Sequence, residues 1–504
     1  MIQLGHVWIV GAGPGDPGLI TVRGREVLSQ ADVVVYDALA APGLLELAPR
    51  GAERIYAGKR AGRAAMPQSA VNALLVEKAR AGLRVVRLKG GDPYVFGRGA
   101  EEGAFLHEAG VPFEVIPGIT AALGASAHAG IPLTHRDEAS AVAFVTGHED
   151  PGSEANRLDW DVLARFPGTL VVYMALARLG AICRELIARG MAGATAAAVV
   201  ENATGPGQRV VRGRLETIAG LAEAAGVRSP ALLLVGPVVS RSEALGWRER
   251  LPLAGLRVLV TRPAEDVEEA AHSLEVLGAE ALRAPMVEVV GLSDSGEVVR
   301  AVEGISAFDW LVFTSRHGVT HFFDALLRER DARALAGVKL AVIGEATREA
   351  LGRYGVRADL VAADARSEGL AHALRDRVAG QRVLLARASR GRDVLPRELA
   401  EVCSVETLVV YDQRDAAGFS PEVEHALEAG RVDWVTLTSP AIARRFDALI
   451  PAASRTQLQA RIQVASISPL TSAEARGLGW RVGAEAGEAR WGSLVEALCQ
   501  ANSR

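Results

Sequence analysis

Short runs of Val, Ile and Leu, each closed by a Gly, Ser, Thr or Pro turn, recur along this chain and limit its folds more than any other feature. They read "HVWIVGAG", "ADVVVYD", "LRVVRLKGGDP", "TLVVYMAL" and "ALLLVGPVV", then "LRVLVTRP", "WLVFTSR", "KLAVIGEAT", "RVLLARAS", "WVTLTSP" and "IQVASISP". A strand that is apolar at successive positions has no wet face, so both faces must be covered. Parallel sheets with helices on both sides do this, and helical stretches separate these runs. The fold class is α/β. At 504 residues the chain exceeds a single core, and roughly three or four domains are expected.

The charged segment in "SRSEALGWRERLPLAGLRVLVTRP" ends one block, and a new strand begins near Leu256, which divides the chain at about 240–253. A second seam lies in "VIPGITAALGASAHAG", and two more, "APMVEVVG" and "LVVYDQRD", bracket an inserted lobe. The expected partition is 1–245, with lobes of about 1–117 and 118–245, followed by 254–504. In the latter, a lobe of about 254–288 plus 413–504 carries an inserted lobe of about 289–412.

Residues that are 49% hydrophobic and 23% charged, with no apolar run of the ~18 residues a membrane span needs, point to a globular protein away from membranes. No basic segment, apolar segment and small-residue cleavage site follow one another at the start, so a cytoplasmic protein is expected. A net charge of −4 argues against nucleic acid as partner, and a polyanionic ligand must meet locally placed arginines. Cys183, Cys403 and Cys499 are far apart and form no CxxC, which suggests neither disulfides nor a zinc cluster. His135 and His148 have no companion at ligand spacing, so no metal is expected.

The first glycine loop, "GAGPGDPGLIT", resembles a dinucleotide fingerprint until its third glycine position, which is Asp16 followed by Pro17. A carboxylate and a ring without N–H stand where a pyrophosphate needs free backbone donors, so no NAD is expected. Asp37, about twenty residues on at the end of "VVVYD", suits ribose recognition or proton abstraction. A second loop, "RLKGGDPYVFGRGAEE", offers Gly90 and Gly91 for close backbone approach, Asp92 as an acceptor and Arg98 as a cation.

These loops, with "GKR…PQ", "PGITAA", "IPLTHR", "TGH", "VVYMAL" and "ENAT…QR" in order, make residues from about 5 to 240 resemble the tetrapyrrole methylases, in particular uroporphyrinogen-III C-methyltransferases. The resemblance implies two α/β lobes with S-adenosylmethionine between them, and a homodimer. For the methyl donor it points to Pro14, Gly90, Gly91, Asp92, Val95, Thr120, Ala121 and Met174, and to Ala203 where relatives often have glycine. It makes Asp37 the proton acceptor and Lys59 the proton donor. An octacarboxylate substrate needs guanidinium groups, for which Arg60, Arg63, Arg98 and Arg136 are candidates.

In the second half the strand-end turns are rich in hydroxyls: Thr314 and Ser315, Thr347, Ser389, Thr438 and Ser439, Ser468, Thr471 and Ser472. Each single one reads as an N-cap; several at one sheet edge suit carboxylate binding. The order "VLVTRP", "FDWLVFTSRHGV", "AVIGEAT", "SEGLA", "RVLLARASRGRDVLPREL", "VVYDQR", "TLTSP" and "ISPLTS" resembles uroporphyrinogen-III synthase. That implies two tethered α/β lobes without a cofactor. It also implies Tyr411 assisting hydroxyl loss, and Thr314, Ser315, Thr347 and Ser439 holding acetate and propionate groups. The expected function is cyclisation of hydroxymethylbilane to uroporphyrinogen III by the second half, and its double methylation to precorrin-2 by the first. Two alternatives stay open: a methylase for a later corrin precursor beside an inactive synthase-like half, and a tetrapyrrole-binding scaffold.

Overall fold

The computed structural model describes residues 5–49, 51–58, 66–148, 157–328, 330–391 and 393–503. Its strands form four sheets. The chain divides into two compact units, one of residues 1–258, 272–281 and 499–504, the other of 259–271 and 282–498.

In the first sheet the strands run Glu53–Tyr56, Val33–Tyr36, Arg84–Lys89, His6–Gly11, Phe113–Ile116, and every pairing is parallel. Side chains alternate between faces along a strand. Val7, Ile9, Val33, Val35 and Val85 pack on one side, and Val10, Val34, Val86 and Leu88 on the other. Two cores back to back explain why these strands are apolar throughout. The strands bearing the two glycine loops, His6–Gly11 and Arg84–Lys89, are neighbours in register, so the loops leave the sheet side by side at its carboxyl edge.

The second sheet corrects the expectation of parallel strands. Its order is Val142–Thr146, Thr169–Tyr173, Ala231–Val235, Ala196–Glu201, Arg209–Arg214, and only the first pair is parallel. Residues 202–208 are too short a link for a helical crossover, so Arg209–Arg214 folds back antiparallel on Ala196–Glu201. The charged segment after "GPVV" forms only short helical turns. Pro237 and Gly246 break it into short turns around Ser242–Leu245.

The third sheet contains Glu280–Arg283, Arg257–Val260, Trp434–Leu437, Gln463–Ser466 and Arg481–Glu485 in that order. The fourth contains Val287–Gly291, Ser404–Asp415, Arg382–Ala388, Trp310–Phe313, Lys339–Val342 and Leu360–Val361. Its first and last strands in sequence, Val287–Gly291 and Ser404–Asp415, pair antiparallel, so the chain enters and leaves this sheet side by side. Phe313, Phe322 and Phe323 fill its core and Phe446 that of the third, each fully buried. None of the described helices is long and apolar enough to cross a membrane.

Candidate functional site

Three glycines bring the first-half loops together. Gly13 and Gly91 exchange backbone hydrogen bonds, Gly91 N–H to Gly13 O at 2.7 Å and Gly13 N–H to Gly91 O at 3.2 Å. Gly118, after the Phe113–Ile116 strand, sits so close that a Cβ on it would stand 2.3 Å from Gly91 O and 2.7 Å from Gly11 Cα. Three strand ends can converge only with hydrogen at these positions. Gly118→Ala is expected to push the loops apart and weaken S-adenosylmethionine binding by about tenfold, equivalent to about 1.4 kcal/mol; isothermal titration checks this.

The residues expected around the methyl donor lie on or beside this junction. Asp92 does more than wait for a ligand: its Oδ2 accepts from Gly118 N–H at 3.0 Å and its Oδ1 from Tyr94 N–H at 2.8 Å, which ties the second loop to the third. Thr120 Oγ1 lies 2.6 Å from the Tyr173 hydroxyl, which also accepts from Ala122 N–H at 3.0 Å. Burial raises the Tyr173 pKa, with Thr120 hydrogen bonding opposing it, so the phenol stays neutral. Val95, Ala121 and Ala203 pack in the same cluster as Tyr173. Met174 follows Tyr173 at φ +55° and is 49% exposed, and Asn202 and Thr204 flank Ala203 at φ +50° and +64°. Left-handed backbone at non-glycine residues gathers at functional sites because it costs about 1–3 kcal/mol each. Thr204 Oγ1 accepts from Asp16 N–H at 3.0 Å, and Pro14 packs against Gly124, linking the first loop to the second lobe.

Asp37 stands at the end of its strand, one oxygen accepting from Leu39 N–H at 3.1 Å and the other 3.4 Å from Arg87. That arginine was missed. Arg87 and Lys89 stand two apart among the buried residues of strand Arg84–Lys89, so both point to one face, where fully buried Glu102 meets Arg87 at 3.1 Å and Lys89 at 2.9 Å. Gln68 donates to the same Glu102 oxygen at 3.0 Å. Burial lowers the Lys89 pKa, as does Arg87, while Glu102 opposes them. Two charges at i and i+2 in a run destined for a covered sheet were a usable signal, because buried charges require partners.

Arg98, the cation expected in the second loop, has an intrachain partner. At φ +59° it precedes helix Gly99–Glu108 and closes on Glu101 one turn on, at 2.7 and 2.9 Å. Arg136 is exposed on its loop, and His135 accepts from Asp137 N–H at 3.2 Å as a turn residue. Lys59, Arg60 and Arg63 lie outside the described residues.

In the second half, Ser315, Ser439 and Ser468 cap their helices, accepting from Gly318, Ile442 and Thr471 N–H groups. Thr347 is buried in the first turn of Glu345–Gly352, and Thr314 is partly exposed. Tyr411, 3% exposed, has its hydroxyl 2.9 Å from Ser315 Oγ, and burial raises its pKa despite that bond. A bulge between Arg387 and Ala388 shifts the pairing just before Tyr411, which re-aims the strand there. Three residues went unnoticed beside it: Glu265, His317 and His321.

Comparison with known proteins finds a match in each half of the chain. Residues 6–219 match the model of the tetrapyrrole (corrin/porphyrin) methylases, and residues 268–496 that of uroporphyrinogen-III synthase. The porphyrin biosynthesis protein HemD of Ruminiclostridium josui is 37% identical over 448 residues, 88% of this chain and 89% of that protein. The uroporphyrinogen-III C-methyltransferase of Bacillus subtilis is 41% identical over 356 residues, 70% and 73% of the two chains. A siroheme synthase of Chromobacterium violaceum is 53% identical over 248 residues, 49% of this chain and 52% of its own. A solved uroporphyrin-III C-methyl transferase from Thermus thermophilus, complexed with S-adenyl homocysteine, is 44% identical and covers 47% of this chain and 99% of its own, with a TM-score of 0.40.

Two α/β enzymes of tetrapyrrole chemistry, one a methylase and one a synthase, are the class these observations define. The chain belongs to the family in which a uroporphyrinogen-III C-methyltransferase is fused to a uroporphyrinogen-III synthase.

Proposed function

We propose that the second half closes hydroxymethylbilane to uroporphyrinogen III, and that the first half methylates this product twice to precorrin-2 with S-adenosylmethionine as donor. The observation that carries the reading is the presence, in one chain, of two matched enzymes of which one makes the other's substrate. We also propose a partition at 1–245 and 254–504, a cytoplasmic location and a homodimer through the methylase half.

We propose the glycine junction as the donor site: Gly13 and Gly91 pair through their backbones and Asp92 fixes the loop, which supports the reading; Pro14, Gly90, Gly91, Asp92, Val95, Thr120, Ala121, Met174 and Ala203 are the proposed donor-binding residues. When bound, the sulfonium supplies an electrophilic methyl group. The protein's share is alignment of a pyrrole carbon with that group and removal of a proton afterwards. Asp37, at a strand end and partly exposed, is the proposed acceptor, held by Arg87 and its own turn; Lys59 is the proposed donor. Arg98 and Arg136 meet substrate carboxylates.

In the synthase, Tyr411 assists departure of the hydroxyl, and Thr314, Ser315, Thr347 and Ser439 hold side-chain carboxylates. Tyr411→Phe removes one hydroxyl shared with Ser315 while keeping the buried ring. Ring closure is expected to slow by about tenfold with the type-III isomer retained, measured by isomer-resolved chromatography; unchanged turnover removes Tyr411 from the chemistry. We further propose that fusion raises local substrate concentration without a tunnel. Labelled hydroxymethylbilane turned over with excess unlabelled uroporphyrinogen III then gives precorrin-2 richer in label than the mixed pool predicts, and complete dilution excludes privileged transfer.

A further inference from the structure

His317 lies in the first turn of helix Arg316–Leu326, just beyond the carboxyl end of strand Trp310–Phe313. Its Nδ1 pairs with Oε2 of Glu265, which stands on the loop after strand Arg257–Val260 of the other sheet of this half. One turn on, His321 Nε2 is 3.7 Å from Glu265 Oε1 and its Nδ1 3.7 Å from Asp324. Both imidazole rings are 5.8 Å from the Tyr411 ring, whose hydroxyl meets Ser315. An imidazole pair, a phenol, a hydroxyl and a carboxylate thus gather at the strand ends of both sheets, where open α/β sheets bind ligands.

The other charged groups nearby are Asp266 with its two arginines, and Arg387, which pairs with Asp393. Asp266 takes both Arg262 and Arg316, and Arg387 faces Tyr411 from the adjacent strand. Burial pushes the Glu265 pKa up, but hydrogen bonding and attraction from the two histidines outweigh it and hold the pKa at about 2. Glu265 is therefore a carboxylate at working pH, able to accept from Nδ1 of His317. A carboxylate fixing Nδ1 of a histidine whose Nε2 has no hydrogen bond among the described residues is the arrangement of an oriented acid–base group.

We propose that His317, oriented by Glu265, delivers the proton to the hydroxyl leaving hydroxymethylbilane and later takes a proton from the closing pyrrole carbon. This inference rests on the synthase reading of the second half. As the C–O bond breaks, its electron pair stays on oxygen, which takes the His317 proton and departs as water. The pyrrole nitrogen's lone pair fills the electron-poor exocyclic carbon. The last pyrrole bonds to that carbon through its substituted α-carbon, which bears no hydrogen; the bond from this α-carbon to the methylene of the neighbouring ring then breaks, its electron pair staying with the last pyrrole while the neighbouring pyrrole nitrogen stabilises the methylene. The free α-carbon of the turned ring bonds to that methylene and then carries one hydrogen too many. Loss of this proton to the neutral imidazole restores the aromatic ring and the imidazolium. One water leaves, and no other reactant is consumed. His321 and Asp324 back the pair from the next turn.

The test uses the full-length protein without S-adenosylmethionine, supplied with hydroxymethylbilane across a pH series, with type-III and uninverted isomers quantified separately. His317→Gln is expected to lower kcat for the type-III isomer by about 10²–10³-fold with little change in KM. The variant also loses the fall in rate on the alkaline side that a general acid imposes. Glu265→Gln is expected to move that fall to lower pH, because the imidazolium loses its counter-charge. His317→Ala regains part of its rate with added imidazole. Methylation of supplied uroporphyrinogen III by each variant reports on the rest of the chain. A His317→Gln variant with wild-type kcat and pH profile overturns the proposal and leaves the synthase reading standing. A His317→Ala variant that imidazole cannot rescue, with the Glu265→Gln profile unmoved, also overturns it. Wild-type protein that yields only the uninverted isomer removes the synthase reading itself.

Discussion

Glu102→Ala is expected to cost about 3–5 kcal/mol, the largest stability loss of any single change considered, because it strands two buried cations. Glu102 is 0% exposed and is the shared partner of Arg87 and Lys89, themselves 5% and 3% exposed. Arg87 retains a 3.4 Å approach to Asp37 and its donations to the Val35 and Leu88 carbonyls, none of which replaces the buried carboxylate, and Lys89 retains no other ion pair among the described residues. The Lys89 pKa, already lowered by burial and by Arg87, falls further once Glu102 no longer opposes them. Urea unfolding followed by circular dichroism measures the loss; Lys89→Met in the same background is expected to recover part of it. A variant as stable as wild type contradicts the reading of this cluster as the electrostatic support of the first lobe.

Asp37→Asn is expected to reduce methyl transfer by about 10²–10⁴-fold while leaving S-adenosylmethionine affinity unchanged. Asparagine keeps the oxygen that accepts from Leu39 N–H, so the turn at the strand end survives, and Arg87 still has Glu102. What disappears is a basic oxygen. Single-turnover methylation of uroporphyrinogen III beside a binding titration separates the two effects; undiminished turnover removes the acceptor role from Asp37.

Much of the architecture was legible because it is written in local pattern. Runs such as Val33–Tyr36 and Trp310–Phe313 are apolar at each position, and the sheets cover them on both faces as that pattern requires. The direction of Arg209–Arg214 was not legible from its composition, since antiparallel pairing follows from the length of the link before it. The glycine loops were readable as a convergence point, but not the reason Gly118 must be glycine, which depends on Gly91 and Gly11 arriving from other strands. That Asp92 also holds the loop at Gly118, and that Arg98 pairs with Glu101, follow from loop geometry that residue type alone does not show.

The residues that escaped notice share one property. Glu102 finds Arg87 and Lys89 from the following helix, and Glu265 finds His317 from another sheet, so each pair exists only in three dimensions. Their signals were charges in places that should be apolar, or titratable groups beside a candidate tyrosine. Such signals say that a partner is required without saying which one.

The account's central claim is that one chain carries out two successive reactions. The measurement that tests it most directly supplies the purified protein with hydroxymethylbilane and S-adenosylmethionine and follows product mass and isomer with time. The account predicts uroporphyrinogen of the type-III isomer, then a product heavier by two methyl groups, and type-III isomer alone when the methyl donor is withheld. Methylation of supplied uroporphyrinogen III with no type-III isomer formed from hydroxymethylbilane, or the isomer formed with no methyl gain, would contradict it.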